Sequence, residues 1–172
     1  MRSRVATSSG PMGTLLRTLM QPSIQQDTQQ IMLHKVLRCW KGCERVERRW
    51  EGMGDVAGLA GRTLLHADLN PANVLLAEDG TAYVVDWAFA GRGAAFLEMA
   101  LLVPWLLKAG HSPAEAERWV ARFPAWAAAD PVDIDLFARV FADKWRANLV
   151  GNGADWAVEH AAAAWEWAVY RG

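Results

Sequence analysis

The sequence predicts an α+β fold that is mostly helical, and three observations carry that reading. One is a hairpin signal, Val74–Ala77 and Ala82–Val85 flanking Glu78-Asp79-Gly80-Thr81. The second is a long apolar run with helical character, Ala94–Lys108. The third is a pair of helix starts followed by apolar stripes at helical spacing, from Ser112 to the end of the chain.

Asp-Gly between β-prone runs favours a tight hairpin, because a type I′ turn needs positive φ at both central residues. With Asp79 and Gly80 as the two turn residues, Glu78 faces Thr81 and Asn73 faces Asp86. Opposed residues have Cβ atoms about 4.5–5.5 Å apart. The hairpin would therefore place a carboxamide beside a carboxylate at its open end, with Asp68 in the loop that feeds it. Magnesium takes hard oxygen ligands of this kind, with phosphate oxygens and water completing its shell.

Asp68-Leu-Asn-Pro-Ala-Asn73 has the Asp-x4-Asn spacing of a phosphoryl-transfer loop, and Asp86 follows a strand as the template requires. Together, His66-Ala-Asp68-Leu-Asn-Pro-Ala-Asn73-Val-Leu-Leu and Val-Val-Asp86-Trp resemble the aminoglycoside phosphotransferase family, a small-molecule branch of the protein-kinase-like fold. The likeness extends through Gly91–Leu107 and more weakly to the C-terminus. It implies a C-terminal kinase-like lobe over residues 31–172 that uses Mg2+ and ATP, or another nucleoside triphosphate, on a small-molecule hydroxyl. By that resemblance Asp68 is the catalytic residue that accepts or orients the hydroxyl proton, and Asn73 and Asp86 bind the metal. His66 and Glu98 support the loop structurally. For His66, direct proton transfer is the sharper alternative; for Glu98, the bland alternative is a solvated helix charge. Ala94 departs from the family, which commonly has an acidic residue there.

Length and composition set the frame. The chain has 172 residues, of which 52% are hydrophobic and 22% charged, and its ten Trp supply large apolar area for a core. Eighteen basic and 19 acidic residues give a net charge of −1, and no basic run points to nucleic acid. The longest apolar runs are broken by charge or proline and none reaches the ~18 residues of a membrane span, and Met1–Gly10 lacks the apolar core of a secretory signal. Two Cys without such a signal suggest a reducing, cytoplasmic setting.

Residues 1–30 read as disordered, with a short helix at Thr14–Met20 as an option. Gln29–Trp50 has a partial helical stripe, Ile31, Leu33, Val36, Leu37, Trp40 and Val46. His34, Cys39 and Cys43 could share one side of it, but a zinc site would want a fourth ligand, and incidental packing or exposed thiols are the default. Glu51–Gly61 reads as a loop or frayed helix.

After Asp86, glycines allow tight turns, and Pro104 is expected to kink the helix Ala94–Lys108. Ser112-Pro113-Ala114-Glu115 combines a capping box with Pro at the first helical position, opening a helix to about Phe123. Asp130-Pro131 opens the next, through Ile134–Leu149, and Ala154–Tyr170 forms the last. The carboxylates Asp130, Asp133, Asp135 and Glu159 on these helices are assigned no role.

A nucleotide-clamping lobe of about five strands and a helix needs roughly 50 residues or more. Residues 1–65 hold no G-x-G-x-x-G and no β-rich succession, and Lys35 and Lys41 fall in helical pattern. The N-terminal lobe is therefore expected to be absent, which sets a weakly active or inactive phosphotransferase against a non-catalytic kinase-like binding module or degenerate fragment. Apolar surface left by the missing lobe would favour self-association.

Overall fold

The computed structural model describes residues 44–172. Expectations placed on residues 1–43, including the disordered lead-in, the helix at Thr14–Met20 and the grouping of His34, Cys39 and Cys43, lie outside the described residues. The fold is mostly helical α+β with two small antiparallel sheets. Strand β1 (Thr63–Leu65) pairs with β4 (Gly91–Gly93), and β2 (Val74–Leu76) pairs with β3 (Ala82–Val84). Five helices follow: α1 (Leu97–Lys108), α2 (Pro113–Val120), α3 (Pro124–Ala127), α4 (Pro131–Asn148) and α5 (Asp155–Arg171).

The hairpin forms where expected, but one residue out of the expected register. Val74 faces Val84, Leu75 faces Tyr83 and Leu76 faces Ala82, so Val85, not Asp86, lies opposite Asn73; the Val85 N–H donates to the Asn73 carbonyl at 2.9 Å. The cause is the turn. Ala77 and Thr81 close it, leaving a three-residue loop rather than two. Only Gly80 takes positive φ (+84°), while Asp79 uses its carboxylate to accept the Thr81 N–H at 2.8 Å. A type I turn followed by a left-handed Gly needs one residue at positive φ instead of two, so Asp79 is spared that strain.

The segment before the core motif also departs from expectation. Glu44 and Arg45 are not helical: the Arg92 N–H donates to the Glu44 carbonyl at 2.8 Å, extending the β1–β4 sheet by a parallel bridge. A 3-10 turn at Val46–Trp50 replaces the end of the anticipated helix. Glycine makes this approach possible. A Cβ on Gly91 would sit 2.6 Å from Val46 Cγ2 and 2.8 Å from the Glu44 carbonyl oxygen. A second 3-10 turn, Val56–Leu59, occupies the stretch read as loop or frayed helix.

The helices start largely for the reasons the sequence gives. Ser112 accepts the Glu115 N–H while Glu115 reaches back to the Ser112 N–H, the reciprocal capping box. Asp130 accepts the Val132 N–H at the head of α4. Helix α1 runs unbroken across Pro104, which is buried. The short α3 begins at Pro124, just where the preceding helix was expected to stop.

The core gathers around Phe137 and Trp167, both fully buried. Phe137 meets Trp50 edge-on at 5.0 Å and stacks with Phe141 at 5.4 Å. Burying each such ring contributes about 2–3 kcal/mol, and edge-to-face pairing adds ~0.5–1.5 kcal/mol. Arg171, at the end of α5, bonds Glu117 of α2 at 2.7 Å and Asp135 of α4 at 2.6 Å, tying three helices at one corner. No helix among the described residues is long and apolar enough to cross a membrane.

Candidate functional site

The site begins where β1 ends. Leu65 is buried in the core, and the chain then turns through His66, Ala67 and Asp68. Ala67 has φ +61°, a left-handed conformation that costs an L-residue with a Cβ about 1–2 kcal/mol. Three groups hold it there. Glu98 of α1 accepts the His66 N–H at 2.5 Å and the Ala67 N–H at 3.2 Å. Arg49 donates to the Ala67 carbonyl at 3.1 Å. The His66 ring, itself buried, lies under the turn.

The hydrogen bonds of His66 fix its tautomer. Its Nδ1 accepts the Asp68 N–H at 3.3 Å, so the ring proton sits on Nε2, which donates to the Val85 carbonyl at 2.7 Å. One imidazole thus fastens the Asp68 loop to the residue before Asp86. The Trp87 ring closes against it edge-on at 4.9 Å.

Asp68 and Asn73 are brought together directly. The Asn73 amide N–H donates to the Asp68 carbonyl at 2.9 Å and to its Oδ2 at 3.0 Å. Asn70 donates to the same carbonyl at 3.0 Å and caps the Pro71–Asn73 turn by accepting the Ala72 N–H. Asp86 is not paired across the hairpin. It stands one residue beyond Val85, is exposed, and takes φ +55°. Its Oδ1 accepts the Ala88 N–H at 3.3 Å, capping the turn Trp87–Phe89. The two non-glycine residues at positive φ among the described residues are therefore Ala67 and Asp86, one in each loop of the site. Strain of this kind persists only where surrounding contacts impose it.

Glu98 sits in an unusual balance. Burial pushes its carboxyl above the ordinary range, while the His66 and Ala67 N–H groups and the nearby Arg49 charge pull it back. Arg49 escaped the sequence reading altogether. It donates to Ala67 in one loop and, at 2.5 Å, to the Phe89 carbonyl in the other. Nothing local to Arg48-Arg49 signals this, because both acceptors are backbone carbonyls distant in sequence.

The oxygen inventory suits a hard cation. Asn73 spends its amide N–H groups on Asp68, which leaves Asn73 Oδ1 to accept or ligate. Asp68 Oδ1 and Asp86 Oδ2 make none of these hydrogen bonds either. Among the described residues no three His, Cys, Asp or Glu side chains gather as a metal cage.

Beside Asp68 opens a cavity of about 590 Å3. It is lined by Asp68 and Leu69 of the loop and by Trp105, Phe141, Trp145 and His160 of the helices.

A mostly helical α+β lobe of this kind, with a loop-and-hairpin site against its helices, is the architecture of a kinase-like domain. The model of the phosphotransferase enzyme family (APH) matches residues 5–132, more than half of the chain, and the chain belongs to that family. No curated protein and no solved structure matches it significantly. The family match ends at residue 132, so nearly all of α4 and the whole of α5 lie beyond it.

Proposed function

We propose that the chain is a phosphotransferase acting on a small-molecule hydroxyl, with Asp68 as its catalytic carboxylate. The observation that carries this reading is the Asp68–Asn73 pair, held by a strained loop and opening onto a cavity. In the reaction the acceptor hydroxyl oxygen forms a bond to the γ-phosphorus of a nucleoside triphosphate. The bond from that phosphorus to the β–γ bridging oxygen breaks, and the hydroxyl proton passes to Asp68. The products are a phosphate monoester and a nucleoside diphosphate.

Asp68 orients the hydroxyl. Its Oδ2 is fixed by Asn73, and its backbone N–H by His66, so Oδ1 is the oxygen left to meet the acceptor. Asn73 Oδ1 and the Asp86 carboxylate would hold Mg2+, which neutralises phosphate charge when bound. Glu98, His66 and Arg49 keep the two loops in place through backbone atoms. Catalysis of this type is mostly positioning and charge neutralisation.

Asp68→Asn tests the assignment. Turnover is expected to fall by roughly 10²–10⁴-fold, the usual contribution of a positioned base, while nucleotide affinity changes little. Unchanged turnover would remove Asp68 from the role.

A further inference from the structure

The cavity beside Asp68 has a chemistry of its own. Its volume, about 590 Å3, lies in the range of small-molecule sites. Its walls are largely aromatic: Trp50, Trp105, Phe141, Trp145 and the ring of His160 all line it. Trp145 and Trp105 hold His160 between them, with ring centroids 4.5 and 4.6 Å away. Burial and the Lys108 charge hold the His160 pKa down to about 4, so this ring is neutral at pH 7.

Two cations line the same space, Arg49 and Lys144. The Lys144 ammonium donates to the Arg49 carbonyl and lies 5.7 Å from the Trp50 ring. Neither cation forms an ion pair among the described residues. Burial, then the Arg49 charge, lowers the Lys144 pKa from its ordinary value. The lining also carries two acidic groups, Asp68 and Glu44, and neither is ion-paired with Arg49 or Lys144.

The carboxylates Asp130, Asp133, Asp135 and Glu159 of the late helices do not line the cavity. Asp130 caps its own helix. Asp135 pairs with Arg171, and Glu159 lies 3.4 Å from Lys108. Asp133 abuts Gly58, where a Cβ would sit 1.8 Å from its Oδ1. The acidic groups on the cavity are Asp68 and the exposed Glu44.

Building on the phosphotransfer reading, we propose that the acceptor is an aromatic hydroxy acid. Its ring packs among Trp105, Phe141, Trp145 and His160, its carboxylate meets Lys144 and Arg49, and its hydroxyl meets Asp68. An amine in the place of that carboxylate would instead put its charge against Lys144 and Arg49, a costly arrangement in a partly desolvated site. Phe141, Lys144 and Trp145 of α4 and His160 of α5 lie beyond the family match, whereas Arg49 and Trp105 lie within it.

Three probes with one ring and different charge test this on the full chain: 4-hydroxyphenylacetate, tyrosol and tyramine, titrated by calorimetry at low salt. The anion is expected to bind about tenfold more tightly than the amine. That preference should vanish in Lys144→Met, whose melting temperature shows whether it folds. On the wild type, added salt should weaken the anion and leave tyrosol unchanged, a readout independent of the variant. Tyramine binding as tightly as the anion, or no binding of any probe at millimolar concentration, would overturn the proposal. A separate magnesium–ATP titration keeps the two ideas apart: anion preference without nucleotide binding defeats only phosphotransfer, and nucleotide binding with amine preference defeats only the hydroxy-acid assignment.

Discussion

Replacing Glu98 by Ala removes the brace under the Asp68 loop, and the structure sets the size of the effect. Two N–H groups, from His66 and Ala67, lose a carboxylate partner. Hydrogen bonds to charged groups contribute about 1.5–3 kcal/mol each. Against this stands the cost of burying the carboxylate, which raises its pKa and offsets part of the gain. A net loss of about 2–3 kcal/mol follows, or roughly 4–12 °C in melting temperature for a chain of this length. There is a second consequence. Ala67 is kept at φ +61° by these bonds, and once they are gone it can relax to an ordinary conformation, swinging Asp68 away from Asn73. Calorimetric melting and a turnover assay, run on Glu98→Ala and Glu98→Gln, measure both effects. Gln retains one acceptor oxygen and should fall between wild type and Ala. A Glu98→Ala protein melting within about 2 °C of wild type, with equal turnover, would refute the reasoning.

His160 gives a pH prediction. Its folded pKa, about 4, lies below the unfolded value of 6.5, so the unfolded chain binds more protons between them. Stability should therefore be lost as pH falls from 6.5 towards 4, by about 3 kcal/mol from this group, and urea midpoints for His160→Leu should be flatter across that window. Gly61→Ala would put a Cβ 2.2 Å from the Gly93 carbonyl oxygen, between the chain entering β1 and its partner β4; a loss of about 1–3 kcal/mol is expected in chemical denaturation. If Gly61→Ala is neutral, that sheet is looser than described.

The sequence reveals much of this architecture because several of its signals are local. The Ser112 capping box, the Asp130-Pro131 start and the apolar face of α4 each depend on residues within a turn or two of one another. Asp-Gly likewise locates the hairpin. It does not set the register, since type I′ and bulged turns both accommodate Gly80, and the choice rests on whether Asp79 pays for positive φ. That one-residue difference moved Val85, in place of Asp86, opposite Asn73. Ala67 and Asp86 at positive φ could not be read locally either, because tertiary bonds impose conformations these residues ordinarily avoid. Arg49 and Lys144 were invisible for a related reason. Their significance comes from backbone carbonyls and a cavity assembled from segments far apart in sequence.

The most direct test of the central claim is a magnesium–ATP titration of the full chain by calorimetry, repeated for Asp86→Asn and without magnesium. The oxygens of Asp68, Asn73 and Asp86 are expected to support binding that requires the metal and weakens at least tenfold in the variant. Absence of binding at millimolar nucleotide, or binding indifferent to both magnesium and Asp86, would contradict it.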